Sequence, residues 1–184
     1  MEPKKEEATF RDEVFRELKS REAKLEEFTN IVEIGKLTKI LKGVTVAKVE
    51  GKFKIILGFA EQDIVVHLKK QIPRIANEYV LNYRLGKKQE IAIPLVILET
   101  KTGKELVTHA LITYSHIAME IKDKFPFVMY NVVIERTTKK EETFWRQGKF
   151  FDKIFIKEKQ PKMHDEIFEL VKDHLVHLRN IGLI

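Results

Sequence analysis

The sequence predicts an α/β fold: a mixed β-sheet flanked by helices, with a helical extension at the N-terminus. Three observations lead there. Ile91–Leu98 is a near-continuous apolar run, the pattern of a strand buried on both faces. Residues 108–124 carry helical signals between that run and a second apolar, β-branched stretch at 127–135. Residues 6–29 space Phe10, Val14, Leu18, Leu25 and Phe28 by three, four and seven, which puts them on one stripe of an amphipathic helix.

Along the chain, a second helix is expected over 31–41, ended by Gly43. Residues 44–49 and 52–58 alternate around Glu50-Gly51 and read as a β-hairpin. A helix is expected from 61 to 79, broken or kinked at Pro73. A short strand follows over 79–84, with a turn at Gly86-Lys87-Lys88. The apolar strand then spans 90–101, and a helix runs from Thr108 to Lys124, capped by Thr108 and stopped near Pro126. After the strand at 127–135, residues 136–147 are polar and read as a loop or short helix, with Trp145 the only tryptophan. A short strand at 153–156 and an amphipathic helix over 165–179 close the chain. No repeat or low-complexity linker divides it. The organisation expected is a helical segment, 1–43, packed on an α/β core, 44–184.

Composition narrows the chemistry. A chain of 184 residues with 43% apolar content suits one domain with a sizeable core. Cysteine is absent, which removes disulfides, thiolate metal sites and cysteine nucleophiles. No segment approaches the roughly 18 uninterrupted apolar residues of a membrane span, and the charged start Met1–Glu7 lacks a signal-peptide core. A cytoplasmic protein with no membrane association is expected. Charged residues make up 34%, mostly Lys and Glu, the balance found in hyperthermophile proteins. A net charge of +6 and a pI near 9.3 favour a polyanionic partner.

The candidate chemistry sits at the end of the apolar run, in Leu98-Glu99-Thr100-Lys101. Residues i and i+2 of a strand share a face, so Glu99 and Lys101 project side by side. The carboxylate suits a hard cation such as Mg²⁺, and the ammonium can orient a water or meet developing phosphate charge. The bland alternative is a solvated strand exit, with Gly103 supplying the turn.

A strand ending in Glu-x-Lys, followed by a helix and another strand, resembles the PD-(D/E)xK nuclease superfamily, which includes many type II restriction endonucleases. The likeness covers roughly residues 60–157. It implies a restriction endonuclease-like core and a metal-dependent endonuclease that hydrolyses DNA phosphodiester bonds with Mg²⁺ or Mn²⁺. It implies Glu99 and Lys101 as catalytic residues, and a homodimer if both strands of a duplex are cut.

The resemblance also requires a carboxylate before the Glu-x-Lys, and the sequence departs from the pattern there, since no Pro-Asp precedes the strand. Asp63, 36 positions upstream of Glu99, is set aside as distant. Glu90 is preferred as the second metal ligand and catalytic carboxylate. Its parity opposes that of Glu99, which a bulge at Pro94 would correct. Glu78 is the alternative ligand. Lys87, Lys88 and Lys104 flank the strand as candidate nucleic-acid contacts, with Lys139 and Lys140 nearby in sequence. His109, Thr113, His116 and Glu120 share a helix face read as solvated; Tyr114 partly substitutes for polar helix residues of the family. Phe144, Trp145, Phe150 and Phe151 are read as core rather than as a stacking platform. The competing reading is a non-catalytic nucleic-acid-binding or structural protein sharing the fold.

Overall fold

The computed structural model describes residues 3–69, 80–82, 91–102, 108–138 and 140–184. Helix α1 (Pro3–Ser20) leads through 3₁₀ turns at Glu22–Asn30 into a long antiparallel hairpin, β1 (Val32–Val49) and β2 (Lys52–Leu68). Then come β3 (Val80–Asn82), β4 (Pro94–Lys101), α2 (Thr108–Lys124), β5 (Met129–Ile134), α3 (Glu141–Gln147), β6 (Lys153–Ile156) and α4 (Met163–Asn180). The six strands among the described residues form one mixed sheet in the order β1-β2-β4-β5-β6, with β3 parallel to β2. β4 is central: it runs antiparallel to β2 and parallel to β5. All eight of its residues are buried, as the two-sided apolar run predicts.

Helices cover both faces of the sheet. On one face Phe10, Val14 and Leu18 of α1 join Val171 and Leu175 of α4 over Ile64, Val66, Val96 and Leu98. On the other, Leu111, Ala118 and Ile121 of α2 lie over Val65, Ile97, Tyr130 and Val132. Consecutive residues of β2 and β4 thus divide between two cores, the period-2 geometry of a strand. The predicted apolar stripe, Phe10 to Phe28, is buried throughout. Phe10 is 2% exposed, so Phe10→Ala is expected to cost about 3–5 kcal/mol in chemical denaturation, the usual loss for a large core aromatic. It should also open 10–28 to limited proteolysis, which the buried stripe of the native protein is expected to resist.

The single helix expected over 6–29 ends at Ser20 and gives way to 3₁₀ turns over Glu22–Asn30, where Glu26 has a positive φ of 50°. Two further sequence expectations fail, for one reason. The helix expected at 31–41 is the first half of β1, and residues 61–68 of the helix expected over 61–79 are the end of β2, while 70–79 lie outside the described residues. Local helical spacing is overridden by strand pairing: Val32 to Leu41 pairs in register with Leu68 to Phe59. The boundary drawn at 43 therefore falls inside a strand rather than after a helix. Pro73, Gly86 and Gly103 lie outside the described residues. The hairpin turn is as expected but joins far longer strands. Glu50 and Gly51 both have positive φ, 52° and 80°, as a two-residue type I′ turn requires.

Leu37 also has positive φ, 52°, in the middle of β1. Its flanking pairs are Lys36↔Ile64 and Thr38↔Gln62, so the distortion lies opposite Asp63. A left-handed conformation costs a non-glycine residue about 1–2 kcal/mol, partly offset in glycine by its backbone entropy. Leu37 is 40% exposed, so Leu37→Gly loses little packing and is expected to raise stability by about 0.5–1 kcal/mol in urea unfolding.

Candidate functional site

The β2–β4 ladder stops at Ile64↔Leu98. Beyond that pair the Asp63 carboxylate takes the place of a backbone acceptor. Its Oδ2 accepts the Thr100 backbone N–H at 2.9 Å and the Thr100 hydroxyl at 2.7 Å. Its Oδ1 accepts Arg11 Nη1, from α1, at 3.2 Å. Three hydrogen bonds therefore fix Asp63 next to the Glu99–Lys101 strand end.

Glu99, Lys101 and Asp63 are 5%, 8% and 8% exposed. Lys101 Nζ lies 2.9 Å from Glu99 Oε1 and 2.7 Å from Glu7 Oε1, on the first turns of α1. The same ammonium sits 4.4 Å above the Tyr114 ring of α2, where the negative ring face attracts it. Each element contributes for a structural reason. β4 is apolar up to Leu98, so it carries Glu99 and Lys101 into a dry environment. The core stripe of α1 docks that helix so that Glu7 and Arg11, one turn apart, reach the strand ends. The stripe of α2 sets Tyr114 beside its buried neighbour Ser115.

The electrostatics follow from crowding. Burial drives the Glu99 pKa up to about 7 against the pull of Lys101, and the charges of Asp63 and Glu7 add to the rise. Burial opposes the Lys101 ammonium, yet Glu99, Tyr114, Glu7 and Asp63 together hold its pKa above the ordinary lysine value. Burial raises the Tyr114 phenol despite Lys101. Tyr130 of β5, fully buried, is raised further, first by burial and then by Glu99, and its hydroxyl has no hydrogen-bond partner among the described residues. Three carboxylates, Glu7, Asp63 and Glu99, thus share a confined space with two cations, Arg11 and Lys101.

The groups in that set that could hold a divalent ion are the carboxylates. Among the described residues no three Asp, Glu or His side chains form a ready cage. Mg²⁺ does not need one, since it binds through one or two carboxylates and retains waters. Asp63 and Glu99 are the hard oxygen donors in place; burial is the main cause of the lifted Glu99 pKa, and a cation would relieve the smaller part that comes from Asp63 and Glu7.

The structure brings Glu99 and Lys101 together and sets the Asp63 carboxylate, 36 positions away in sequence, beside them. Glu90 and Glu78, expected as the second carboxylate, lie outside the described residues, as do Lys87, Lys88, Lys104 and Lys139. Glu7 and Tyr130 were also missed. Tyr114 is in the cluster. His109 and His116 are exposed, and Glu120 pairs with Lys42 at 3.1 Å, as a solvated helix face would. Phe144 and Phe151 are core, and Phe151 stacks on Tyr130; Phe150 is partly exposed, and the Trp145 side chain lies outside the description. No helix among the described residues is long and apolar enough to cross a membrane. Comparison with protein-family models and with curated proteins finds no match.

Proposed function

We propose that this chain is a metal-dependent endonuclease with a PD-(D/E)xK-type site, hydrolysing phosphodiester bonds in DNA. The observation that carries the reading is the pairing of Asp63 with the Glu99-x-Lys101 strand end. An acidic residue on one central strand lies beside Glu-x-Lys on the next, where the resemblance requires a second carboxylate and the local sequence lacks one. The element order is compatible with it too: helix, hairpin, central strand, helix, parallel strand in one mixed α/β sheet.

In this reading Asp63 and Glu99 hold Mg²⁺ or Mn²⁺, which when bound neutralises the phosphate and makes a coordinated water more acidic. Lys101 orients the attacking water and meets the negative charge that grows on the phosphoryl oxygens. The water oxygen bonds to phosphorus, one P–O ester bond breaks, and the departing oxygen gains a proton. Glu7 and the Tyr114 ring position Lys101: the carboxylate anchors one side of the ammonium and the ring covers another. Thr100 and Arg11 position Asp63.

The test is nicking of supercoiled plasmid at elevated temperature with Mg²⁺ or Mn²⁺, beside a chelator control. Cleavage that needs metal and disappears in Asp63→Asn is expected. Wild-type protein that binds no divalent ion by calorimetry and never nicks would instead make the cluster a structural ion network.

A further inference from the structure

β1 and β2 do not stop where β4 does. The β2–β4 pairing begins at Ile64, and β2 extends from there back to Lys52 with β1 beside it. From Asp63 to the turn at Gly51 is twelve residues, about 40 Å of strand. Because β4 is antiparallel to β2 and ends at Lys101, this arm leaves the sheet from the end that holds Asp63, Glu99 and Lys101. Among the described residues it pairs further with the three residues of β3, and its base packs on α2, where Ile40 is buried and Lys42 meets Glu120 at 3.1 Å. Gly43 faces Gly58 at a register shift after Leu41, the kind of site where a strand pair bends.

One face of the arm is apolar and exposed. Val44, Val46 and Lys48 lie opposite Leu57, Ile55 and Phe53 and so share a side. Phe53 is 70% exposed, Val46 63% and Val44 52%. Exposed apolar side chains gathered on one ribbon mark an interaction surface. The arm is also basic: residues 38–62 hold five lysines and two glutamates, a net of three out of the chain's +6. Lys48 and Lys52 are exposed at its outer end.

We infer that this arm is a duplex-binding ribbon that lies along a groove of the nucleic acid whose backbone meets the Asp63–Glu99–Lys101 site; the inference rests on the nuclease reading. Charge selects the occupant. A polyanion matches Lys48 and Lys52, whereas a second copy packed on this face would offer like charges, its one outer carboxylate, Glu50, standing at the turn near Lys54. Dimensions agree. A two-stranded ribbon fits the major groove, and the arm beyond Gly58, seven residues or about 23 Å, follows that groove over roughly two thirds of a helical turn. Phe53 and Val46 supply apolar contacts to base edges or steps, and the lysines contact phosphates.

The experiment measures binding of a fluorescein-labelled duplex of about two helical turns by the full-length chain in chelator, over a salt series. Sedimentation and plasmid nicking are run on the same proteins. Lys48→Glu/Lys52→Glu should weaken binding about tenfold or more and lower the salt-dependence slope by about two. Val46→Ser/Phe53→Ser should weaken binding while leaving the slope unchanged. Wild-type nicking with both double variants binding like wild type overturns the arm and leaves the nuclease reading intact. Arm-dependent binding without nicking keeps the arm and removes the hydrolytic reading. A wild-type dimer that Val46→Ser/Phe53→Ser converts to monomer, with duplex affinity unchanged, makes this face a self-association surface and overturns the proposal. Absence of duplex binding by the wild type overturns it as well.

Discussion

Glu99→Gln is expected to abolish metal-dependent cleavage and, at the same time, to make the metal-free protein more stable at neutral and alkaline pH. Activity falls because an amide carries no charge for the cation; a loss of about 10³-fold or more is expected where a metal ligand is removed. The stability gain follows from linkage. Burial and the neighbouring carboxylates lift Glu99 from an ordinary 4.5 to about 7. The folded state therefore holds a proton that the unfolded state has released, and stability falls as pH rises from about 4.5 through 7. The full difference, on the order of 3 kcal/mol, is felt above pH 7. Glutamine removes this penalty, and Lys101 keeps its 2.7 Å partner Glu7. Thermal unfolding in chelator across pH 4–9 should show the wild type losing stability over that window and Glu99→Gln staying flat. A variant less stable than wild type at pH 8 would mean that the Glu99–Lys101 attraction outweighs desolvation. Saturating Mg²⁺ should narrow the gap by stabilising only the wild type.

What the sequence made legible were the features whose signal is local. β4 announced itself by an apolar run with Glu99 and Lys101 at its end. The apolar stripe gave Phe10, Val14 and Leu18 of α1 and Leu25 and Phe28 of the following 3₁₀ turns as core, and the turn at Glu50-Gly51 gave the hairpin. The second carboxylate was hidden because its position depends on a long-range pairing. Asp63 is far from Glu99 along the chain, and only the β2–β4 register brings it alongside. Its local signal was the β-branched run Ile64-Val65-Val66 that follows it, which favours a strand over a helix. A strand there would have set a carboxylate at the edge of one apolar run beside Glu-x-Lys at the edge of another. Glu7 carries no local signal, since it is one of several charged residues on the exposed side of an amphipathic helix. It becomes part of the site only because the opposite side docks α1 over the sheet.

Lys101→Met should behave as the mirror image of Glu99→Gln, and that asymmetry tests whether the cluster is an electrostatic unit. Removing the ammonium leaves Glu99 facing Asp63 and Glu7 with, among the described residues, Arg11 to offset them, and Arg11 already serves Asp63. A buried pair that loses one partner costs about 3–5 kcal/mol, because the charge that remains has neither water nor counterion. A methionine fills much of the lysine's volume, so the loss reports charge rather than a cavity. The destabilisation should grow as pH rises, since Glu99 is then forced to ionise without its cation. Cleavage should fall by about 10²–10³-fold, within the range attributed to one electrostatic group aimed at a developing charge. Metal affinity should hold or rise, because an ammonium is not a ligand and its departure leaves the carboxylates unopposed. The double variant Glu99→Gln/Lys101→Met completes the cycle. If the two side chains act through each other, it should recover most of the stability lost in Lys101→Met while remaining inactive. Simple addition of the two single effects would show that Lys101 serves Glu7 and Tyr114 rather than Glu99, and that the strand-end pair is not the centre of the site.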